Sequence, residues 1–167
     1  MTIDAQISCY WNLNDYYKFE HVDVLWAPGY FEFICPAKSG PVLKGVAFQK
    51  SEETPNLFDL IYGDVKEDIK ISTAASADSN DLEKLLLTIA IITIKFISNY
   101  PGQQVKINGI DSVRTRLYRR FINKNIEYLA SLANIYGQNI NEISTEALIK
   151  PYHKDYAHVL VEAKSAV

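Results

Sequence analysis

The sequence predicts an α+β fold, a mixed and mostly antiparallel twisted sheet carrying two main helices. Three observations predict it. The first half holds short runs of aromatic and β-branched residues separated by turn chemistry. A long apolar segment with a capping signal follows Asp78. After it, strand-like and helix-like patterns alternate to the end, which is the order of a sheet with helices packed on it. At 167 residues the chain has the size of one domain, read here as a single domain over 1–167. With 48% hydrophobic and 22% charged residues, it can bury a core and is not a disordered polymer.

The strands come first. "FEHVDVLW" (19–26), "YFEFIC" (30–35), "VLKGVAF" (42–48) and "LFDLIYGDV" (57–65) are divided by Pro28-Gly29, by Ser39-Gly40-Pro41 and by "EETPN". In the second run Phe31, Phe33 and Cys35 share one face while Tyr30, Glu32 and Ile34 share the other. Loops this short imply an antiparallel meander.

"SNDLEKLLLTIAIITIKFISNYP" then reads as a helix. Asn80 serves as the capping residue with Glu83 three positions on, and Pro101-Gly102 closes the segment. Apolar residues surround nearly the whole circumference between Leu82 and Ile97, so this helix is expected to be buried on more than one side. "QVKINGI" (104–110) reads as a strand, and "DSVRTRLYRRFINKNIEYLAS" as a second helix capped by Asp111 or Ser112. "LANIYG" (132–137) and the alternating "YAHVLVEAK" (156–164) supply two more strands, while "NINEISTEALIKPYHK" between them fits neither template.

Several classes fall away. The two cysteines, Cys9 and Cys35, are too few for a disulfide framework, and a reducing cytoplasm is the expected location. The first residues show no basic and apolar leader, and "LLLTIAIITI" (85–94) is too short to cross a bilayer. His21, His153 and His158 make no closely spaced ligand pair, so no metal is expected, and His158 reads as a hydrogen-bonded structural residue. "GDVKED" (63–68) lacks the spacing of a calcium loop and reads as a solvated turn. Nucleophile elbows, phosphate-cradling loops and dinucleotide fingerprints are absent, and no cofactor is expected.

Charge is uneven. Net charge is −3, but residues up to Tyr100 carry 14 acidic and 8 basic groups, and the remainder 6 acidic and 9 basic. All four arginines lie in "SVRTRLYRR" (112–120), as Arg114, Arg116, Arg119 and Arg120. At about 100° per residue, Val113, Leu117, Tyr118, Phe121 and Ile122 share one broad arc. Arg116, Arg119 and Arg120 fall outside it with Asn123, as a solvated face requires. Arg114 falls inside. A guanidinium there must pair with a carboxylate such as Asp59, Asp64 or Glu32, or clamp an anion from outside. The acidic remainder would repel a duplex, so nucleic acid is not the expected partner.

The order of a long helix, a strand, a helix carrying Leu117-Tyr118 and a closing strand, over roughly 57–164, resembles the later half of the GCN5-related N-acetyltransferase fold. That resemblance implies Tyr118 as a general acid toward the departing thiolate of coenzyme A. The family's glycine-bearing pyrophosphate loop is missing: the matching stretch is "STAASADSN", with Asp78 and Asp81 where the pyrophosphate would sit. "GIDSVRTRLYRRFI" with the terminal "YAHVLVEAK" is also similar to small proteins of an uncharacterised bacterial family, a likeness that implies no activity.

The sequence therefore points to a ligand-binding or protein-interaction module using the arginine-rich helix (112–124). Arg114, Arg116, Tyr118, Arg119 and Arg120 are its candidate residues, and a small anionic ligand or an acidic protein its partner. An acyl-coenzyme A-dependent N-acyltransferase using Tyr118 is the alternative. Exposed sheet edges would also allow a homodimer.

Overall fold

The computed structural model describes residues 1–66, 70–72, 81–108, 112–138, 146–147, 156 and 158–165. The fold is α+β, and every strand register within a unit is antiparallel. The chain divides into two compact units, Trp11–Ile92 on one side and Met1–Tyr10 with Thr93–Val167 on the other.

The first unit is built on the expected meander. β1 (Phe19–His21), β2 (Gly29–Ala37), β3 (Gly40–Lys50), β4 (Leu57–Lys66) and β5 (Lys70–Ser72) follow one another, each paired to the one before it. β1 is much shorter than the 19–26 predicted. Val22 and Val24 leave the strand and pack instead against a buried cluster of Ala27, Tyr30 and Ala47, which satisfies their hydrophobic demand without a ladder. The β2–β3 connection is tight because Gly40 takes φ +110, a conformation that costs other residues strain. From Phe33 to Cys35 the predicted alternation holds, with Phe33 and Cys35 buried and Ile34 61% exposed, but Tyr30 on the face of Ile34 is fully buried.

Helix α2 (Leu82–Ile97) gives its first turns to this unit and its last residues to the other. Its start differs from expectation in one respect. Asp81 Oδ1 accepts from the Lys84 N–H at 3.0 Å, so Asp81 fills the capping position; Asn80 lies outside the described residues. Leu85, Leu87, Thr88, Ile91, Ile92, Thr93, Ile94, Phe96 and Ile97 are all buried, so α2 is enclosed on several sides as its sequence requires. The fully buried Thr88 hydroxyl is satisfied twice, accepting from the Tyr17 N–H at 2.8 Å and donating to the Lys84 carbonyl at 2.7 Å.

In the second unit β6 (Gln104–Asn108), α3 (Ser112–Leu132), β7 (Ala133–Gln138), β8 (Glu146–Ala147) and β9 (His158–Ala163) follow in sequence. β9 lies between β6 and β7, so the closing strand is the middle of its sheet. Val105, Val161 and Ile135 align across the three strands and are buried. Residues 109–110 of the predicted 104–110 strand lie outside the described residues. α3 buries Ile122, Ile126, Leu129 and Leu132, the spacing of one helical face. A third helix was not expected: α1 (Ile3–Ser8), capped by the Thr2 hydroxyl, buries Ile7 and pairs Asp4 with Lys95 at 2.9 Å.

Candidate functional site

Two places hold charge in a way that could matter, one on each unit. The first was not expected. Lys44 has the same strand parity as Val46 and Phe48, so its side chain points into the core and is fully buried. The β3–β4 register sets Asp64 directly opposite, and Lys44 Nζ donates to Asp64 Oδ1. The same ammonium stands 5.8 Å from the centre of the Tyr62 ring, where the face of the aromatic system favours a cation. Phe33, the Lys44 partner on the β2 side, stacks at 5.9 Å on Tyr17, and Lys84 of α2 caps the Tyr17 ring at 4.8 Å.

This corrects two expectations. "GDVKED" is not wholly a solvated turn, because Asp64 belongs to β4 and neutralises a buried lysine. Asp64, offered as a partner for Arg114, has Lys44 as its own. The chemistry open to the pair is limited. With 1% of its side chain exposed, Lys44 Nζ has no path to a substrate, so the pair reads as structural. Its signal was present in the sequence as a lysine at an apolar position of "VLKGVAF", but the pairing needed the register.

On the opposite face of the same strands, Tyr30 lies over Gly45. A Cβ on Gly45 would stand 3.1 Å from Tyr30 Cε2 and Oη, a close contact that the ring would have to shift slightly to admit. Burial raises the Tyr30 phenol above its ordinary value, and the negative charge of Glu32 acts in the same direction.

The second place is α3. Arg116 and Arg120 are exposed, and Lys124 extends the line one turn further. Arg119 is only half-buried to the side, so it belongs less fully to the solvated face than its wheel position suggested. Tyr118 is likewise half-buried. The Arg114 side chain lies outside the described residues. Four residues beyond Lys124 the line reaches Tyr128, 45% exposed, whose ring packs at 5.0 Å on Tyr10. Tyr10 follows α1, and this aromatic pair was not foreseen. Among the described residues, neither Arg116 nor Arg120 takes part in an ion pair.

His158 is half-buried in β9, in register with Asn108 and Gln138. Among the described residues no group of three metal-ligating side chains converges, and no helix is long and apolar enough to cross a membrane.

No curated protein and no solved structure matches the chain. The model of a family of unknown function, DUF6934, matches residues 14–164. That span runs from before β1 to the residue after β9 and takes in both charged places, and on it this chain belongs to the family of unknown function DUF6934.

Proposed function

We propose that the chain is a protein-interaction module that docks an acidic segment of a partner protein along the exposed face of α3. One observation carries this reading: Arg116, Arg120 and Lys124 are exposed at four-residue steps, with the Tyr10–Tyr128 pair at the end of the line. Steps of four residues advance about 6 Å each along a helix. The cations are therefore spread over roughly 12 Å and do not converge on one point. A single phosphate can engage two neighbouring cations one turn apart, whereas a run of carboxylates can follow the whole line. The two tyrosines add amphipathic ring surface at modest entropic cost.

The element order α2, β6, α3, β9 is what supports a fold of the N-acetyltransferase kind. Tyr118 would be the residue to watch if that fold retained acyl transfer, but its missing glycine loop favours the interaction module.

A fluorescein-labelled peptide rich in glutamate and aspartate, titrated by anisotropy at low ionic strength, tests the proposal. Saturable binding that weakens with added salt and disappears in Arg116→Glu/Arg120→Glu/Lys124→Glu is the expected result. Equal binding by the triple variant would overturn it, and so would tighter binding of a single-stranded oligonucleotide at the same face. A parallel thermal-unfolding series with acetyl-coenzyme A covers the alternative, since a ligand at 100 times its Kd stabilises by about 2.7 kcal/mol. Such a rise would favour the acyltransferase over the module.

A further inference from the structure

The outer face of the β2–β3 hairpin ends in four exposed apolar residues. Ile34 is 61% and Leu43 39% exposed, and Pro36 and Pro41 beside them are also exposed. The register places Ile34 opposite Leu43 and Pro36 opposite Pro41, so the four form one contiguous block. Strand alternation puts Glu32 on the same face at one end of the block, and the exposed Lys38 stands in the turn at the other. From Glu32 into the turn the hairpin thus reads negative, apolar, apolar, positive.

That pattern is complementary to its own reverse. A two-fold axis lying between two such faces and crossing the strands at position 35 turns each β2 antiparallel to its partner. Ile34 then covers the partner copy's Pro36, Leu43 covers the partner copy's Pro41, and Glu32 meets the partner copy's Lys38. A two-fold interface must satisfy this kind of self-complementarity, because each patch meets itself. The basic line on α3 fails the requirement, since it would oppose like charges. An edge-to-edge pairing is disfavoured as well. β1 and the Val22 N–H after it cover β2 from Tyr30 to Phe33, and on the edge beyond Phe33 Pro36 lacks the N–H that a ladder across it would need.

We propose that a second copy of this chain packs face to face on the β2–β3 hairpin, forming a two-fold dimer through Ile34, Pro36, Pro41 and Leu43 with Glu32–Lys38 contacts at both ends. Four apolar side chains per copy make a small interface, so association is weak and concentration-dependent.

Sedimentation equilibrium of the full chain, from low micromolar to millimolar concentration at low salt, reads the dimer directly. The average mass should climb from 19.0 kDa towards twice that value. Ile34→Glu and Leu43→Glu should hold it at the monomer while leaving the circular dichroism and thermal midpoint unchanged, since both residues are exposed. Glu32→Lys alone and Lys38→Glu alone should each weaken association, and combining them should restore it, because the swapped pair still meets opposite charge. A mass that stays at the monomer throughout overturns the proposal. So does a dimer indifferent to Ile34→Glu. Failure of the double swap to recover what either single change lost would equally reject the two-fold register.

Discussion

The unit spanning Trp11–Ile92 carries 13 acidic and 7 basic residues; the other unit carries 7 and 10. Yet it is the acidic unit that buries a cation, and the basic one that leaves Arg116 and Arg120 exposed. Net charge does not decide which side chains go inside. Lys44 is drawn in because its neighbours at the same parity, Val46 and Phe48, belong to the core and because the register brings Asp64 opposite it. Arg116 and Arg120 stay out because Ile122, Ile126 and Leu129 hold the other side of α3 against the fold. A charge enclosed by packing serves the fold, and one left to solvent is available to a partner.

The strongest way to break this contrast is to remove one half of the buried pair. Asp64→Ala leaves an ammonium with 1% side-chain exposure and no carboxylate, and should cost about 3–5 kcal/mol in chemical denaturation. Lys44→Met should cost less, because the Asp64 side chain is 16% exposed and water can reach it. Lys44→Met/Asp64→Leu should come back near the starting stability, since a well-packed apolar pair replaces a desolvated ionic one. If Asp64→Ala and Lys44→Met were both harmless, Lys44 would not be enclosed as described.

A second comparison between the units is sharper in its geometry. Each sets a tyrosine ring over a strand glycine. A Cβ on Gly137 would lie 2.5 Å from Cγ, Cδ1 and Cδ2 of Tyr156, the root of the ring, whereas a Cβ on Gly45 meets Val65 Cγ2 at 3.0 Å and the outer edge of Tyr30 at 3.1 Å. The ring root is tied to its backbone and has little room to yield. The Val65 methyl and the far edge of Tyr30 can give by a few tenths of an ångström. Gly137→Ala should therefore cost about 1–3 kcal/mol, and Gly45→Ala less than about 1 kcal/mol. In a Tyr156→Ala background the Gly137→Ala penalty should vanish, because the two changes share one contact. A penalty that persisted there would place its cause in the backbone and not in the ring.

Much of this was legible in the residues, and the failures share a physical reason. β2, β3, β4, α2, α3, β7 and β9 announce themselves through periodicity and turn chemistry. α1 is six residues long with one buried side chain, too short to show a period. "FEHVDVLW" is rich in aromatic and β-branched residues, but that composition cannot tell a ladder from an irregular segment whose valines dock on Tyr30. The Lys44–Asp64 pair was half visible: each residue has the parity of its strand's core face, and only the register says which acid meets which base. On α3 the wheel placed Arg116 and Arg120 correctly in solvent and set Arg119 one step too far out.

The smallest expected effect closes the contrast from its other side. Arg116→Ala/Arg120→Ala deletes two charges from the basic unit, as many as the Lys44–Asp64 pair contains, but both are exposed and neither holds an ion pair among the described residues. Stability should change by no more than about 0.5 kcal/mol per site, and the sign is set by two opposing terms. Alanine has the higher helix propensity, and losing Arg116 and Arg120 relieves repulsion between like charges one turn apart. Against this, the aliphatic stems cover some surface of α3. The first pair of terms should prevail at low salt, giving a slight stabilisation that fades as salt screens the repulsion. A loss of several kcal/mol would mean that these guanidiniums are bound into the fold, and it would remove the face that the proposed partner needs.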